Sequence, residues 1–339
     1  MQPRHDASLL TCNTLGLEAS ASALAVLEDE EQLAGVLQWA GQRDLSVVPL
    51  GEGSNVVFAG DIDALLLRVQ TRGRTVTPLP NGSVRLEVKA GENWHRLVTW
   101  TLEQGFYGLE NLALIPGKVG AAPIQNIGAY GVELCSVVSR VHAVKIDTGE
   151  ALQFSSEECE FAYRDSVFKH SLRDKTIITQ VDFLLSTVAD VQASYPALQQ
   201  ALLERQVTNP GPRDVFEAVV AVRRQKLPDP GTTPNAGSFF KNPIVDVAQA
   251  ARLQQQFSAM PQFDQPDGRR KLAAAWMIEY CGYKGIRRDG VGVHPEHALV
   301  MINYHNHSGS KLLELAREIA SAVQQTFGVE LEIEPRVYG

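Results

Sequence analysis

The run from Lys226 to Pro243, KLPDPGTTPNAGSFFKNP, constrains this chain more than any other stretch. Pro228 and Pro230 stop a helix that reaches them, because proline removes a backbone donor and clashes with the preceding turn. The proline- and glycine-rich segment that follows is the best domain junction in the sequence, and it delivers Ser238 into whatever lies across it. The serine follows an Ala-Gly pair, where no glycine Cβ obstructs a ligand approaching the backbone. Phe239 and Phe240 would fix the loop by burial and hold the hydroxyl in one place. The same residues fit an ordinary turn packed by two aromatics equally well.

With 339 residues, 44% hydrophobic and 21% charged, the chain has material for two or three domains with real cores. A net charge of -8 without any Lys/Arg block argues against a nucleic-acid partner, while an anionic small ligand needs only a few local cations. The N-terminus MQPRHDASLLTCNTLG lacks an apolar core of signal-peptide length, and no apolar run approaches the roughly 18 to 20 residues of a membrane span, so a cytoplasmic location is expected. Cys12, Cys135, Cys159 and Cys281 show no C-x-x-C spacing, which argues against a metal knuckle or a disulfide framework.

Leu33, Val36, Leu37 and Ala40 recur at helical spacing, and a strand follows from Leu45 to Leu50. It runs into Gly51-Glu52-Gly53-Ser54-Asn55, a turn of small residues that fits either a plain reversal or a phosphate cradle built of backbone N–H groups. Val56 stands where a dinucleotide fingerprint would need its third glycine. Strands are predicted near Ala64–Val69 and Val84–Lys89, then a helix over Trp94–Gln104 with Trp94, Leu97, Trp100 and Leu102 toward a core. Gly108 to Glu133, rich in glycine and alanine, has a backbone open enough to wrap an extended ligand; Leu112 and Val119 occupy the positions at which a P-loop would fail.

Paired strands are predicted over Val137–Phe154 and Thr176–Leu185. Arg164 lies between them, suited either to a structural ion pair or to an anionic substrate. Residues 186–211 read as an excursion from the sheet carrying Tyr195. Asp214 and Glu217 suggest a capping box for a helix over Val215–Gln225 with Phe216, Val219 and Val220 as its apolar face. Helices are expected over Ala248–Phe257 and Leu272–Cys281, with Lys271 at the start of the second, and an amphipathic helix carries Leu312, Leu315, Ile319, Val323 and Phe327. VELEIEPRVYG closes the chain as a strand bearing Glu334. His294, His297, His305 and His307 lack the H-E-x-x-H spacing, Pro295 disfavours a shared helical face, and no third acidic ligand is placed for them, so no metal is expected.

Taken in order, GEGSN (51–55), IPGKVGAAPIQNIGAYG (115–131), YRDS (163–166), KLPDP (226–230), NAGSFFKNP (235–243) and LEIEPRV (331–337) resemble the UDP-N-acetylenolpyruvoylglucosamine reductase family over nearly the whole chain. The resemblance implies an α+β protein: an FAD-binding fold of the vanillyl-alcohol-oxidase (PCMH) type in two subdomains, 1–72 and 73–225, a smaller α+β substrate-binding domain, 226–329, and a C-terminal strand, 330–339, returning to the active site. Tyr195 in the inserted loop fits the longer-loop subclass. The activity implied is NADPH-dependent reduction of UDP-N-acetylglucosamine enolpyruvate to UDP-N-acetylmuramate in peptidoglycan synthesis, by a monomer.

By the same resemblance Arg164 and Glu334, the latter protonated, hold the substrate carboxylate, and Ser238 supplies a proton to the adjacent carbon. Tyr195, Lys226, Asn242 and Lys271 hold the diphosphate, with Lys241 and Arg223 nearby but solvated. Phe263 stands where the family's loop often has another tyrosine, and it packs without donating a hydrogen bond. FAD contacts are implied at Gly51, Gly53, Ser54, Asn55, Ile115, Gly117, Gly120, Ala121, Gln125, Gly128 and Ala129, non-covalently, since neither loop contains histidine or cysteine. A flavin oxidase of the same fold is the nearest rival, and it would need a base where Ser238 is a proton donor. A nucleotide-sugar sensor is the rival that need not be yellow.

Overall fold

Val84, Leu86 and Val88 are buried and alternate with more exposed neighbours, the period of two expected of a strand with one covered face. The computed structural model describes residues 3–339, and they group into two units, each with its own core. The first holds the residues up to Ala7, Ala21–Glu52 and Asp63–Gln225; the second holds Ser8–Ser20, Gly53–Ile62 and Lys226–Gly339.

In chain order the elements are β1 (Arg4–Ser8), β2 (Ser20–Leu27), α1 (Leu33–Gly41), β3 (Ser46–Leu50), β4 (Val56–Phe58), β5 (Ile62–Val69), β6 (Arg74–Leu79), β7 (Ser83–Lys89), α2 (Trp94–Glu103), β8 (Gly128–Ala129), β9 (Val132–Glu133), β10 (Val138–Lys145), β11 (Ala151–Ser155), β12 (Thr176–Ser186), α3 (Pro196–Glu204) and α4 (Pro212–Lys226). Two main sheets build the first unit, one ordered β1-β2-β5-β3 with β3 and β5 parallel, the other an antiparallel β11-β10-β12-β7-β6. One core joins α1 and the first sheet through Val36, Val47, Leu65 and Leu67 to Ile177 of β12. Another packs the second sheet against α2, α3 and α4 through Leu86, Trp94, Leu97, Val141, Phe183, Leu198 and Val219.

The second unit continues with β13 (Asn235–Ser238), β14 (Ile244–Val245), α5 (Val247–Gln256), β15 (Gln262–Asp264), β16 (Arg270–Leu272), α6 (Ala274–Tyr280), β17 (Arg287–Arg288), β18 (Val291–Val293), β19 (Val300–Asn303), α7 (Gly309–Phe327) and β20 (Arg336–Tyr338). Its sheets are β13-β19-β18-β17, β14-β16-β15 and the parallel pair β20-β4. Leu312, Leu315, Ile319, Val323 and Phe327 of α7 are buried in its core, and Gly328 in the left-handed region ends that helix. A Cβ on Gly309 would come within 1.9 Å of the Phe58 carbonyl oxygen, so the start of α7 lies directly on β4. No helix of the described residues is long and apolar enough to cross a membrane.

The predicted α1, α2, α5, α7 and the strands flanking Arg164 are present, with differences that have physical causes. In α2 the buried positions are Trp94, Leu97, Val98 and Thr101, while Trp100 and Leu102 are only partly covered. In α4 the capping residue is not Asp214 acting on Glu217. The helix begins at Pro212, and Asp214 reaches back to accept the Gly211 N–H at 2.9 Å, while Glu217 pairs with Arg205. Val215, Ala218, Val219 and Val222 face its core. Lys271 does not start a helix. It lies on β16, opposite Ile244 on one side and Phe263 on the other, because residues 262–272 close as a hairpin on β14.

Candidate functional site

β3 ends at Leu50 and releases the chain into the Gly51–Asn55 turn. Gly53 has φ 68°, and a Cβ there would lie 1.9 Å from the Cys12 carbonyl oxygen, so only glycine fits. The Glu52 carboxylate accepts the Gly117 N–H at 3.1 Å and the Asn93 amide at 2.9 Å, and lies 3.3 Å from Lys118 Nζ. An anion thus already occupies a donor of the Ile115–Ala129 segment, which is how a pyrophosphate is held by backbone N–H groups. Gly120 packs so tightly that a Cβ would sit 2.6 Å from that of Ala90. Glu52 shows that a backbone N–H of this segment takes an anionic oxygen, the chemistry that the pyrophosphate of FAD requires, while the N–H groups of Gly120 and Ala121 are used within the fold by the Ala90 and Lys118 carbonyls.

The segment then folds into 3-10 turns at Val119–Ala121 and Pro123–Gln125 and the β8–β9 hairpin. Asn126, fully buried in a left-handed conformation, organises it. Its Oδ1 accepts the Cys135 N–H at 2.9 Å, and its Nδ2 donates to Glu133 and to the Ala162 carbonyl, each at 3.1 Å. Those bonds tie the hairpin to the loop of Arg164. Arg164, itself at φ 54°, donates to the Gly128 carbonyl at 2.6 Å, while its own carbonyl accepts from Lys169 at 3.1 Å.

Tyr195 is 44% exposed at the start of α3, edge-on to Tyr130 at 5.5 Å. Burial raises the Tyr130 hydroxyl above an ordinary tyrosine, against the opposing pull of Arg223. Arg223 is not solvated: its Nε donates to the Leu114 carbonyl at 3.2 Å, and burial lowers its pKa.

In the second unit β13 pairs with β19 through an irregular register between Asn235 and Ser238. Asn235 is buried and holds the approach, donating to the Pro228 and Thr233 carbonyls and accepting the Gly237 N–H at 2.8 Å. Phe239 and Phe240 are 0% and 1% exposed, so Ser238, partly covered, is fixed from its C-terminal side by buried rings. Glu334 is brought to the same place: its N–H donates to the Phe239 carbonyl at 2.9 Å, and Phe240 bridges Ile333. Lys241, 12% exposed at its side chain, is bound to Glu332 at 2.5 Å and is not solvated. Asn242 uses its Oδ1 to accept the Ala274 N–H at 3.0 Å, at the start of α6.

Sequence reasoning missed a cationic group around His297. Burial lowers the pKa of this imidazole, and the positive charges of Lys226, His294 and Lys284 lower it further; Lys284 itself pairs with Glu279 at 2.9 Å, and Lys271 lies on β16. The only signal in the sequence is HPEH itself, whose second histidine reads as a ligand candidate rather than as the neighbour of two lysines. Phe263, expected to pack, is instead 48% exposed on β15.

Comparison with known proteins places these features in company. Residues 229–338 match the model of the UDP-N-acetylenolpyruvoylglucosamine reductase C-terminal domain, and residues 21–155 match an FAD binding domain. A UDP-N-acetylenolpyruvoylglucosamine reductase of Pseudomonas fluorescens is 44% identical over 333 residues, 98% of each chain. One from Paraburkholderia phymatum is 46% identical over 325 residues, 95% of this chain and 94% of the relative. Among solved structures, UDP-N-acetylenolpyruvylglucosamine reductase from Thermus caldophilus aligns over 100% of both chains with a TM-score of 0.67 at 23% identity. A solvent-stable cholesterol oxidase aligns over 98% of this chain and 88% of its own with a TM-score of 0.51 at 12% identity. These two structural likenesses bear on the fold.

Proposed function

The chain belongs to the UDP-N-acetylenolpyruvoylglucosamine reductase family, and on that premise we propose that it reduces UDP-N-acetylglucosamine enolpyruvate to UDP-N-acetylmuramate, with NADPH as reductant, in the cytoplasm and as a monomer. It is an FAD-dependent oxidoreductase of the PCMH-type α+β fold. We assign residues 1–72 and 73–225 to flavin binding, 226–329 to the substrate and 330–339 to the returning strand.

Bound FAD supplies the hydride, having taken it from NADPH. Gly51, Gly53, Ser54 and Asn55 with Ile115, Gly117, Gly120, Ala121, Gln125, Gly128 and Ala129 would hold it. The chain's own task is to stabilise charge and deliver a proton. Hydride addition at the substrate methylene drives negative charge toward the carboxylate, so Arg164 and a protonated Glu334 act there by lowering the barrier where charge develops. Ser238 gives its hydroxyl proton to the carbon bearing the carboxylate; its placement matters more than its acidity. Lys226, Asn242, Lys271 and Tyr195 take the diphosphate, and the neighbourhood of His297 adds Lys284 to that set. Concentrated local cations reconcile a polyanionic substrate with a chain of net charge -8.

The observation that carries this reading is the backbone bond from Glu334 to Phe239 at 2.9 Å, which supports a shared role for the acid at 334 and the hydroxyl at 238. Anaerobic reduction of the purified protein with NADPH, followed by UDP-N-acetylglucosamine enolpyruvate, tests it. Flavin absorbance is expected to bleach and then return with one equivalent of substrate. A flavin that stays bleached would remove the substrate assignment.

A further inference from the structure

Leu114 stands immediately before the Ile115–Ala129 segment with φ 57°, a conformation that costs a side chain with a Cβ steric strain. Both of its backbone groups are held from outside the loop. The N–H donates to Nδ1 of His95 on α2 at 3.0 Å, and the carbonyl accepts from Nε of Arg223 on α4 at 3.2 Å. The His95 ring is fixed in turn by stacking on Phe216, centroids 5.7 Å apart and planes within 10°. Two helices therefore grip the peptides on either side of one strained residue at the root of the loop.

We propose that His95 is a positioning residue for the flavin: its unprotonated Nδ1 holds Leu114 in the left-handed conformation and so sets where the Ile115–Ala129 segment meets the cofactor. The inference rests on the assignment of that segment to FAD. An imidazole suits the post because Nδ1 accepts only while it lacks a proton. Burial lowers the His95 pKa, and the charges of Arg224 and Arg223, both on α4, lower it further. The acceptor therefore persists below the pH at which an ordinary histidine protonates. Once His95 does protonate, Nδ1 becomes a donor facing the donor of Leu114, and the grip is lost. FAD affinity should then fall as the solution is acidified below the ordinary histidine value of 6.5.

The test measures the dissociation constant of FAD by flavin fluorescence across pH, without turnover. His95→Leu removes the acceptor and should weaken FAD binding about tenfold at neutral pH, the scale of one buried donor left unpaired. His95→Asn places an amide oxygen near the position of Nδ1; it should bind FAD nearly as well as the unchanged chain and lose the acid limb. Adding Leu114→Gly to His95→Leu should recover part of the loss, since glycine takes the left-handed conformation without strain. The proposal is overturned if His95→Leu binds FAD normally, if His95→Asn keeps the acid limb, or if the glycine recovers nothing. Should His95→Leu not fold, the unchanged chain and His95→Asn decide between them. Gln125→Ala separates the two readings. If it shifts the flavin spectrum or affinity while His95→Leu does not, the loop assignment stands and the positioning role fails; if neither changes FAD binding, the loop assignment itself is wrong.

Discussion

Between Leu114 and Arg164 the backbone takes positive φ at Leu114, Asn126, Tyr130, Glu160 and Arg164 besides three glycines, whereas in Asn235–Pro243 the one left-handed position belongs to Gly237. The first region is held by polar side chains: His95 and Arg223 on Leu114, the Asn126 amide on the hairpin, Asn111 on the Tyr130 carbonyl, Lys169 on the Arg164 carbonyl. The second is held by the buried Phe239 and Phe240 and by backbone pairing to β19 and Glu334. Strain kept in a loop demands directional bonds, because apolar packing does not specify a peptide's orientation. Ser238, at the end of β13, takes no left-handed conformation and needs only to be kept from moving, and rings do that.

The contrast can be broken by subtraction on each side. Phe239→Ala should produce the largest loss of stability, about 3–5 kcal/mol for an emptied aromatic site, read as a lowered urea midpoint. Ser238→Ala leaves the packing intact; flavin reduction by NADPH should proceed at its normal rate while substrate reduction slows about 10²-fold or more, the scale of a lost positioned acid. Rapid mixing separates the two half-reactions, and equal slowing of both would show that Ser238 has another task. Asn126→Ala should cost about 1–3 kcal/mol for the groups left unpaired, and unlike Phe239→Ala it should change the flavin spectrum, since it releases the hairpin bearing Gly128. The smallest effect sharpens the substrate side: Lys284→Ala is expected to raise KM about tenfold or less with kcat little changed, as for one charge-assisted contact. If Lys271→Ala does so and Lys284→Ala does not, the neighbourhood of His297 is not the diphosphate site.

How much of this was legible beforehand followed the physics of each signal. Periodicity revealed α7, because its apolar residues recur on a single stripe against one core. It failed for β2, SASALAVL, whose small residues carry little alternation, although Ala21, Ala23, Leu24 and Ala25 are buried. The glycines of the Gly51–Asn55 and Ile115–Ala129 loops announced close approach by a ligand; at Gly53 and Gly120 what approaches is the protein's own Cys12 carbonyl and Ala90. Nothing local announced that His95 grips Leu114 or that Lys226 and Lys284 both act on His297, because charge and hydrogen-bond partners are chosen by tertiary structure. Arg223 and Lys241 were expected in solvent for the same reason: long side chains declare their charge in the sequence but not their destination.

The parallel pairing of β20 with β4, Arg336 opposite Val56 and Tyr338 opposite Phe58, gives the chain an order of assembly. β4 is fully buried in the folded protein, yet its partner strand follows it in the sequence only after every other strand and helix of both units. The two main sheets of the first unit need no residue beyond Ser186, but the second unit cannot close before β20 is present, and such distant pairing is slow to form. Until then an apolar strand waits with an open edge, where a chaperone or another nascent chain could bind it. The docking of β20 is therefore the step that shelters β4, and the backbone carrying Glu334 arrives with it.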